Sequence, residues 1–389
     1  TMSCTLPEPP EPHHVSAPVL STRARSGATT LAELTTIGVG GTFTELVEAT
    51  TETEVVDTVR RADAAGTPLL VIGGGSNILP ADSHFDGIVL RDMRSGIVLD
   101  SLGSCEGANF SALPGTPWDD LVVHAISQDW GGFEALSGIP GTVGAAPVQN
   151  IGAYGQEVAA TLARLKVYDR REQRIRTLFL ADMRLGYRTS ILKETIGEYG
   201  PSPRYIVLEV TFQTKLSNVS DPIGYAQLAR HLGVELGARV PSETVREAVL
   251  ELRAGKGMVL NNADRDTYSC GSFFTNPVLT TAQAQRLPED APRYEVHDAA
   301  HATLSGGVPV VDGLVKTSAA WLIEHAGFTR GYGHGPARLS SKHTLALTNA
   351  GGATGAQLRA LAREIQAGVK DAFGVVLHPE PVVLGGLGA

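Results

Sequence analysis

The sequence predicts an α+β protein with several domains, and three observations support this prediction. The chain of 389 residues is long enough to form two or three separate hydrophobic cores. Its composition, with 42% hydrophobic and 19% charged residues, is that of an ordinary soluble globular protein. Segments with the two-residue alternation of strands and segments with the helical spacing of apolar residues are mixed along the whole chain.

The first α/β unit is predicted between residues 44 and 77. Residues 45–49 predict a strand, and residues 53–65 predict an amphipathic helix with Thr53 as its N-cap and Gly66 as its C-terminal stop. Residues 68–72 predict a buried strand that leads directly into Gly73. The preceding residues 1–27 are rich in Pro, Ser and Thr. They predict a flexible tail, because they bury too little surface to offset the entropy of ordering.

The mixed pattern continues to the C-terminus, and the sequence contains no internal repeat. Ser242, directly after Pro241, is predicted as the N-cap of one of the later helices. The later predicted helices span residues 118–127, 242–254, 318–326 and 355–373. The later predicted strands span residues 88–90, 96–99, 164–168, 174–178, 205–213, 345–347 and 374–377.

Charge and cysteine content limit the partners and the compartment. The formal net charge of −9 and the pI near 5.7 argue against nucleic acid or an anionic membrane as the main partner, although a local group of Arg and Lys can still bind an anionic substrate. The three cysteines have neither metal-ligand spacing nor a disulfide framework, which fits a reducing cytoplasm. No stretch reaches the ~20 apolar residues of a membrane helix, and the N-terminus lacks a signal-peptide pattern. We therefore expect a cytoplasmic protein without membrane insertion and without a metal site.

A glycine-rich turn follows the predicted strand at residues 68–72. It consists of Gly73, Gly74, Gly75, Ser76 and Asn77. Glycines let a backbone come close enough for several N–H groups to point at a diphosphate. A simple tight turn is the alternative explanation. The turn does not match the dinucleotide-binding fingerprint G-x-G-x-x-G, because Ile78 stands where the last glycine is required.

A second glycine-rich stretch lies between residues 131 and 156. It contains the run Ser137-Gly138-Ile139-Pro140-Gly141-Thr142-Val143-Gly144 and the run Gln149-Asn150-Ile151-Gly152-Ala153-Tyr154-Gly155. So many glycines with so few charges would make a poor surface loop. They suit a backbone that lies against a flat aromatic ring and a diphosphate.

Three further segments contain residues that can take part in chemistry. They are G-Y-R-T-S at residues 186–190, C-G-S-F-F-T-N-P at residues 270–277 and L-H-P-E-P at residues 377–381. The guanidinium of Arg188 can bind a carboxylate through two parallel hydrogen bonds, although most Arg side chains are simply solvated. The Ser272 hydroxyl can donate a proton if a neighbouring charge stabilises its alkoxide, although a serine in this setting is more often a turn residue. Cys270 is interpreted as a packing residue.

Together and in this order, these segments resemble the UDP-N-acetylenolpyruvoylglucosamine reductase family in its type I form. The resemblance is most specific between residues 138 and 155 and in the motif Gly-Ser-Phe-Phe-x-Asn-Pro, which is intact here. It extends from Leu31 to the end of the chain and is looser over residues 334–342. Thr275 departs from the family pattern, since many relatives have Lys there, and the N-terminal tail matches nothing.

The resemblance implies a particular α+β fold. An FAD-binding domain of the vanillyl-alcohol-oxidase type, built from two α+β subdomains, is followed by a C-terminal α+β substrate-binding domain. By this assignment, residues 28–99 join residues 374–389 in the first subdomain. Residues 100–257 form the second subdomain, and residues 258–373 form the substrate-binding domain.

The resemblance also implies a non-covalently bound FAD and NADPH as the hydride donor. The implied reaction is the reduction of the nucleotide sugar UDP-N-acetylglucosamine enolpyruvate to UDP-N-acetylmuramate, in peptidoglycan precursor synthesis. The residues implied to hold FAD are Gly73, Gly74, Gly75, Ser76, Asn77, Ser137, Gly138, Ile139, Gly141, Thr142, Gly144, Gln149, Asn150, Gly152, Ala153 and Tyr154.

Roles at the reacting end of the substrate follow from the same resemblance. Ser272 is implied to be the general acid, Arg188 to hold the enolpyruvyl carboxylate, and Glu380 to assist in stabilising the enol intermediate. The carboxylate of Glu380 would repel the enolpyruvyl carboxylate of the substrate. Glu380 must therefore be protonated or paired with Arg188. The residues implied to bind the substrate elsewhere are Tyr187, Tyr225, Arg253, Lys256 and Asn276. Tyr225 corresponds to the tyrosine of a mobile loop that closes on the diphosphate.

Two other functions remain open at the level of the sequence. A flavin oxidase of the vanillyl-alcohol-oxidase type with another substrate would be reoxidised rapidly by oxygen and would not depend on NADPH. A nucleotide-sugar-binding protein without catalysis would be colourless when purified. The colour of the purified protein, and its bleaching by NADPH, distinguish these functions from the reductase.

Overall fold

The computed structural model describes residues 15–297 and 310–387. The helices are α1 (Glu52–Ala65), α2 (Trp118–Ser127), α3 (Ile191–Glu194), α4 (Ile196–Tyr199), α5 (Ala226–Leu232), α6 (Ser242–Gly255), α7 (Thr281–Ala284), α8 (Ala319–His325) and α9 (Gly355–Phe373). The strands are β1 (Phe43–Ala49), β2 (Leu69–Val71), β3 (Ile78–Leu79), β4 (Phe85–Asp92), β5 (Ile97–Gly103), β6 (Gly107–Ala112), β7 (Gly152–Ala153), β8 (Gln156–Glu157), β9 (Leu162–Asp169), β10 (Arg174–Phe179), β11 (Tyr205–Thr214), β12 (Val278–Thr280), β13 (Tyr294–His297), β14 (Val310–Lys316), β15 (Gly333–His334), β16 (Ala337–Leu339), β17 (Leu347–Asn349) and β18 (Val382–Val383).

The chain divides into two compact units. Unit 1 consists of the described part of Thr1–Ser26 together with Thr44–Gly74 and Asp86–Leu260. Unit 2 consists of Gly27–Phe43, Gly75–Phe85 and the described part of Asn261–Ala389. The boundary between the units therefore passes through the first glycine-rich turn, between Gly74 and Gly75. The division into three domains stays a prediction.

An antiparallel sheet with the strand order β10-β9-β11-β6-β5 forms the centre of unit 1. Phe110 on β6 lies opposite Phe212 on β11, and their rings stack with centroids 5.2 Å apart. Such aromatic pairs across strands stabilise a sheet beyond the area they bury. Trp118 at the start of α2 and Phe133 pack into the same core. The spacing of apolar residues in the sequence predicts an apolar face on α2, and the structure shows that this face packs on the sheet.

A smaller sheet in unit 1 leads to the first glycine-rich turn. Its strand order is β1-β4-β2, and β2 runs parallel to β4 with Leu70 opposite Val89. Val55 and Val59 of α1 are buried in the same apolar cluster as Leu69. Because β2 is short and buried, it fixes the position at which the chain leaves the sheet and enters Gly73.

The N-cap predictions for α1 and α6 are wrong by one or two positions. The hydroxyl of Thr51, not Thr53, accepts a hydrogen bond from the Glu54 N–H at 3.2 Å, and the Thr51 N–H donates to the Glu54 carboxylate at 3.1 Å. This reciprocal pair is a capping box, and it favours Thr51 because Glu stands three residues later. In α6 the N-cap is Pro241, whose φ of −48° and ψ of 132° are not helical, and Ser242 is already the first helical residue.

The core of unit 2 is formed mainly by α9 and the segments that pack on it. Leu358, Leu361 and Ile365 are buried along one face of α9, as their helical spacing in the sequence predicts. In the same cluster the rings of Phe273 and Phe274 meet edge to face with centroids 5.1 Å apart. Near the C-terminus, β18 runs parallel to β3, so residues widely separated in the sequence pair with each other.

The predicted strand at residues 374–377 is wrong. Val375 and Leu377 are buried while Val376 is 48% exposed, so the alternation that suggests a strand is real. However, this segment pairs with none of the strands in the described residues, 15–297 and 310–387. Gln366 of α9 donates its side-chain amide to the Leu377 carbonyl at 2.8 Å. A side chain thus satisfies a backbone group that a neighbouring strand would otherwise satisfy. The strand predicted at residues 345–347 begins only at Leu347.

Residues 15–27, the described part of the predicted flexible tail, make hydrogen bonds to other segments, and the flexibility of the tail stays a prediction. Ser21 is buried, and its carbonyl accepts a hydrogen bond from the Gly141 N–H at 2.7 Å. The Thr22 hydroxyl donates to the Gly74 carbonyl at 3.0 Å. These hydrogen bonds connect the stretch to both glycine-rich segments, although its composition alone offers little apolar burial. Residues 1–14 lie outside the described residues.

Candidate active site

The two glycine-rich segments of unit 1 lie in direct contact. A Cβ atom added to Gly73 would lie 2.4 Å from the Thr142 Oγ1 atom, and one added to Gly74 would lie 2.8 Å from the Gly141 Cα atom. Only glycine therefore fits at Gly73 and Gly74. The structure brings together two segments that the sequence places about 70 residues apart and that the resemblance assigns to the same cofactor.

The second half of the first glycine-rich turn belongs to unit 2. Gly75 has a φ of +64°, and its carbonyl accepts a hydrogen bond from the Thr36 N–H at 2.9 Å. A Cβ atom on Gly75 would lie 1.9 Å from the Leu34 carbonyl oxygen, so no other residue can stand here. The Asn77 carbonyl accepts from the Val382 N–H at 3.0 Å, and the neighbouring Ser76 is half-buried.

The second glycine-rich segment of unit 1 is held by hydrogen bonds to its backbone. The Ser137 hydroxyl donates to the Glu134 carbonyl at 2.7 Å. The Gly141 carbonyl accepts from the Trp118 N–H at 3.0 Å. A Cβ atom on Gly144 would lie 2.5 Å from Pro114, so this glycine too is required by close packing. Ile139 is half-buried, and a 3-10 helix, Val143–Gln149, follows and ends in a half-buried Gln149.

Three residues without the freedom of glycine adopt left-handed backbone conformations near this segment. Asn150, Tyr154 and Arg188 have φ values of 47°, 49° and 54°. Such conformations cost free energy for residues other than glycine and often occur at functional sites. The Arg188 side chain donates from Nη2 to the Gly152 carbonyl at 2.8 Å. Arg188 is thereby fixed against the strand that contains Gly152 and Ala153.

A group of positive side chains lies beside this segment, and we call Arg188, Arg253 and Lys256 the cation cluster. Burial lowers the pKa of Arg253, and the charge of Arg188 lowers it further, while Tyr154 and Asp119 act in the opposite direction. Burial also lowers the pKa of Lys256, and Arg253 adds to this effect. Because Arg188 disfavours the charge of Arg253 and Arg253 disfavours that of Lys256, the cluster has a positive potential that an anionic ligand would relieve.

Aromatic and amide side chains surround the cation cluster. The Lys256 Nζ atom lies 5.5 Å from the centre of the Tyr154 ring, and the Tyr154 and Tyr225 rings meet edge to face at 5.5 Å. Lys256 also donates to the Gln227 side chain at 2.7 Å. The buried Nε atom of Arg253 has no hydrogen-bond partner within the described chain. Its neighbouring Nη2 donates to the Met258 carbonyl at 2.9 Å, so the guanidinium is only partly satisfied.

Tyr187 and Arg188 are in contact with each other. The Arg188 guanidinium carbon lies 5.4 Å from the centre of the Tyr187 ring, and Tyr187 is 36% exposed. Of the substrate-binding residues implied by the resemblance, Tyr187, Tyr225, Arg253 and Lys256 therefore all lie in the neighbourhood of the cation cluster in unit 1. The fifth, Asn276, lies in unit 2.

In unit 2 the Ser272 segment and the Glu380 segment lie side by side. Phe274 forms an antiparallel bridge with Pro379, the Glu380 N–H donates to the Phe273 carbonyl at 2.8 Å, and the Thr275 N–H donates to the His378 carbonyl at 3.0 Å. Glu380 is 8% exposed and Ser272 is half-buried. The structure thus brings together the segments that contain two of the three predicted catalytic residues, although more than 100 residues separate these segments in the sequence.

Two neighbours of Ser272 have structural roles. The Asn276 side-chain oxygen accepts a hydrogen bond from the N–H of Ala319, the first residue of α8, at 2.9 Å. Cys270 is buried, its Sγ–H donates to the Ile78 carbonyl at 3.0 Å, and burial raises the pKa of its thiol to about 12. Cys270 is therefore an unreactive packing residue, as the sequence predicts.

Sequence reasoning missed the buried carboxylate of Glu134. One Glu134 oxygen accepts from the Gln156 side chain at 2.8 Å and from the Asp221 N–H at 3.0 Å. The other accepts from the Gly132 and Phe133 N–H groups, each at 3.0 Å. Glu134 thus joins the glycine-rich segment to the chain that leads into Tyr225. The available signal was a single charge inside a long stretch of uncharged residues.

Two further properties of the described residues bear on the site. Within residues 15–297 and 310–387, no helix is both long enough and apolar enough to cross a lipid bilayer. In the same residues, no group of three or more His, Cys, Asp or Glu side chains is arranged to hold a metal ion.

Comparison with known proteins relates these features to two families and to several relatives. Residues 44–177 match the FAD binding domain family, and residues 263–384 match the family of the UDP-N-acetylenolpyruvoylglucosamine reductase C-terminal domain. A UDP-N-acetylenolpyruvoylglucosamine reductase of Cutibacterium acnes is 49% identical and aligns over 91% of this chain and 89% of its own length. The reductase of Streptomyces avermitilis is 48% identical over 91% of this chain and 93% of its own length.

A solved structure shares the fold. The crystal structure of UDP-N-acetylenolpyruvylglucosamine reductase from Thermus caldophilus superposes with a TM-score of 0.56 at 23% sequence identity, over 91% of this chain and 97% of that one. The predicted α+β fold, with an FAD-binding domain followed by a C-terminal domain, is confirmed by these matches. Since relatives more than 45% identical over nearly their whole length carry the same name, the chain belongs to the UDP-N-acetylenolpyruvoylglucosamine reductase family.

Proposed function

We propose that this chain reduces UDP-N-acetylglucosamine enolpyruvate to UDP-N-acetylmuramate in peptidoglycan precursor synthesis, with FAD as its cofactor and NADPH as the hydride donor. The observation that carries the proposal is the arrangement in unit 1. Two glycine-rich segments, in which close packing requires several of the glycines, lie beside a cluster of partly buried cations. This combination suits a flavin diphosphate and an anionic substrate.

The residues of unit 1 fit FAD. The glycines at Gly73, Gly74 and Gly141 let the backbones of the two segments come into direct contact, and glycine-rich backbone of this kind suits a diphosphate. When bound, FAD supplies the hydride that it has received from NADPH. Asn150 fixes the far end of the second segment, since its amide donates to the Glu157 carboxylate at 2.8 Å and its Oδ1 accepts from the Ala159 N–H at 3.1 Å.

Arg188 holds the enolpyruvyl carboxylate in this proposal. A guanidinium binds a carboxylate through two parallel hydrogen bonds, and the left-handed backbone at Arg188 fixes the direction in which the side chain leaves. When hydride reaches the vinyl carbon, negative charge develops toward this carboxylate. Because Arg188 is held by the Gly152 carbonyl before the reaction, it stabilises that charge with little reorganisation.

Ser272 donates the proton to the carbon next to the one that receives hydride. A hydroxyl is a weak acid, so its position must be rigid and its alkoxide must be stabilised. Phe273 and Phe274 are buried beside Ser272, and the pairing with residues 378–380 holds the backbone on both sides of it. Glu380 assists in stabilising the enol intermediate, which requires that its charge be neutralised by a proton or by a cation.

The diphosphate of the nucleotide sugar lies against Lys256 and Tyr225 in this proposal, and Arg253 contributes positive charge. We also propose that the enzyme acts in the cytoplasm, where the exposed thiol of Cys105 and the buried thiol of Cys270 stay reduced. The net charge of −9 fits a small nucleotide sugar as partner better than nucleic acid or a membrane surface.

Three spectroscopic observations test the proposed function. The purified protein should be yellow, and anaerobic NADPH should bleach its visible absorbance. Addition of UDP-N-acetylglucosamine enolpyruvate should then restore the absorbance. A yellow protein that NADPH does not bleach and that oxygen reoxidises rapidly would indicate the oxidase. A colourless protein that binds the nucleotide sugar would indicate a binding protein.

FAD should be bound without a covalent link. No His or Cys stands in the glycine-rich segments, where a link to the flavin would most naturally form. Acid precipitation of the yellow protein should therefore leave a colourless pellet and release all flavin into the supernatant, where its absorbance can be measured. A pellet that stays yellow after washing in acid would contradict this expectation.

Lys256→Ala and Tyr225→Phe should raise KM for the nucleotide sugar and leave kcat nearly unchanged. Contacts to the diphosphate are equally strong in the ground state and the transition state, so their loss weakens binding without slowing the chemical step. The loss of one charged hydrogen bond costs about 1.5–3 kcal/mol, which corresponds to about one to two decades in KM. Steady-state kinetics at saturating NADPH measures both constants.

Lys370→Ala is the matched control for the Lys256 variant. Lys370 also lies at the C-terminal end of a helix, but it is exposed in unit 2. Both kinetic constants of this control should equal those of the unchanged protein. If kcat of Lys256→Ala collapses while KM holds, Lys256 acts in the chemical step and the diphosphate assignment is wrong.

A further inference from the structure

A fully buried ion pair lies in unit 1, among residues that the proposed reaction does not use. Arg246 on α6 donates from Nη1 to Oδ1 of Asp119 and from Nη2 to Oδ2, each at 2.8 Å. Both side chains are 0% exposed. Taking two charges out of water is costly, so such a pair needs good geometry and additional hydrogen bonds. The additional hydrogen bonds connect it to the proposed FAD site.

The Asp119 carboxylate accepts two hydrogen bonds from backbone groups besides those from Arg246. Its Oδ1 accepts from the Gly138 N–H at 2.8 Å, and its Oδ2 accepts from the Val19 N–H at 2.7 Å. Gly138 belongs to the second glycine-rich segment and has a φ of +71°. A Cβ atom there would lie 2.7 Å from Leu250, so Gly138 cannot be replaced without a shift. Asp119 therefore fixes the start of this segment.

Arg246 in turn holds residues 16–22, which we call the N-terminal segment. Its Nε donates to the Ser16 hydroxyl at 2.9 Å, and its Nη2 donates to the Ala17 carbonyl at 3.1 Å. At the other end of the segment, Ser21 accepts from the Gly141 N–H and Thr22 donates to the Gly74 carbonyl. The N-terminal segment thus contacts the ion pair at one end and both glycine-rich segments at the other.

We propose that the Asp119–Arg246 pair and the N-terminal segment position the two glycine-rich segments of unit 1 for FAD, so that these residues set the affinity for the flavin without contacting it. The inference rests on the proposed function, in which those segments hold FAD. The N-terminal segment precedes residue 44, at which the match to the FAD binding domain family begins. Its role is therefore an addition to what that match describes.

Asp119→Asn tests the proposal directly. The amide keeps the size of the carboxylate, but only one of its two ends accepts hydrogen bonds. It therefore cannot serve Arg246, Gly138 and Val19 together. We expect the dissociation constant of FAD to rise about tenfold or more. The release of flavin from diluted holoenzyme, followed by its fluorescence, measures this constant.

Asp169→Asn is the matched control. Asp169 is also 0% exposed and ion-paired, with 2.7 Å between its Oδ1 and the Arg204 Nε atom. It likewise accepts backbone N–H groups, those of Arg171 and Glu172, but these residues follow β9 and do not belong to either glycine-rich segment. Both variants should lower the midpoint of thermal unfolding. Only Asp119→Asn should weaken FAD binding, and excess FAD should return its kcat to that of the unchanged protein.

Thr22→Val is a milder variant that leaves the buried Asp119–Arg246 ion pair intact, so it tests the proposal even if Asp119→Asn does not fold. It removes the hydroxyl that donates to the Gly74 carbonyl and accepts from the Ala24 N–H at 2.9 Å, and we expect FAD to bind about three- to tenfold more weakly. The proposal is overturned if folded Asp119→Asn and Thr22→Val bind FAD as tightly as the unchanged protein. It is also overturned if Asp169→Asn loses as much affinity as Asp119→Asn. An unchanged protein without flavin would overturn the proposed function together with this inference.

Discussion

Ser272→Ala should reduce substrate turnover by about 10²–10⁴-fold, the range expected for the loss of a general acid. The reduction of FAD by NADPH should stay within a few-fold of its original rate, because the proton donor serves only the second half-reaction. Stopped-flow absorbance can follow each half-reaction separately. The first is the bleaching of the flavin by NADPH, and the second is the return of its colour when the enolpyruvyl substrate is added.

Thr275→Ala is the control for Ser272→Ala, since it removes a hydroxyl from the same motif. The Thr275 hydroxyl lies 3.4 Å from the His378 carbonyl, so this variant disturbs the pairing of the two segments without removing the proposed acid. Both half-reactions of Thr275→Ala should remain nearly unchanged. An equal loss in both half-reactions of Ser272→Ala would show that Ser272 supports the structure and does not donate the proton.

Arg188→Ala should lower kcat/KM for the enolpyruvyl substrate by about 10²–10³-fold, as the loss of one strong donor to a developing anion does in other enzymes. The loss should appear in kcat as well as in KM, because the charge on the carboxylate side increases in the transition state. Arg188→Lys keeps the charge but not the bidentate hydrogen-bond geometry. Its activity should lie between that of the unchanged protein and that of Arg188→Ala. Steady-state kinetics with varied substrate gives both constants.

Arg184→Ala is the control that distinguishes an effect of the Arg188 side chain from an effect of its left-handed backbone conformation. Arg184 also has a left-handed conformation, with a φ of 48°, and its side chain is 68% exposed, 3.6 Å from Glu194. Replacement by Ala should therefore change the free energy of the left-handed backbone by a similar amount at Arg184 and at Arg188. Arg184→Ala should keep full activity. If the two variants lose activity equally, the effect of Arg188→Ala belongs to the backbone of this loop and not to the guanidinium.

Helices with a long regular pattern could be predicted from the sequence almost completely. The bounds predicted for α2 and α9 match the structure, because apolar residues at helical spacing must lie on one face wherever the helix packs. Their ends were harder to predict. Thr51 and Thr53 are both suitable N-caps, and only the position of Glu54 distinguishes them. Residues 374–377 show that an alternating pattern can come from burial alone, without a neighbouring strand.

The candidate site could be predicted from the sequence only through the resemblance. Tyr154, Tyr225 and Lys256 have no common sequence pattern, and the folding of α5 and α6 brings them together. Asp119 and Arg246 are 127 residues apart, and each looks like an ordinary charge on an amphipathic helix. The glycines are a different case. Their number predicts a close backbone approach, but only the structure shows that Gly73 and Gly74 are required by contact with Gly141 and Thr142.

The parallel pairing of β18 with β3 has a consequence for synthesis of the chain on the ribosome. Unit 2 is assembled from three separate stretches, and Val382 pairs with Ile78 only after all the residues between them have been translated. At about 5–20 residues per second, the nascent chain therefore waits for tens of seconds with Ile78 and Leu79 unpaired. The segments containing Ser272 and Glu380 meet in the same late step. We therefore expect nascent chains that stop before residue 377 to expose apolar surface of unit 2 and to need chaperones.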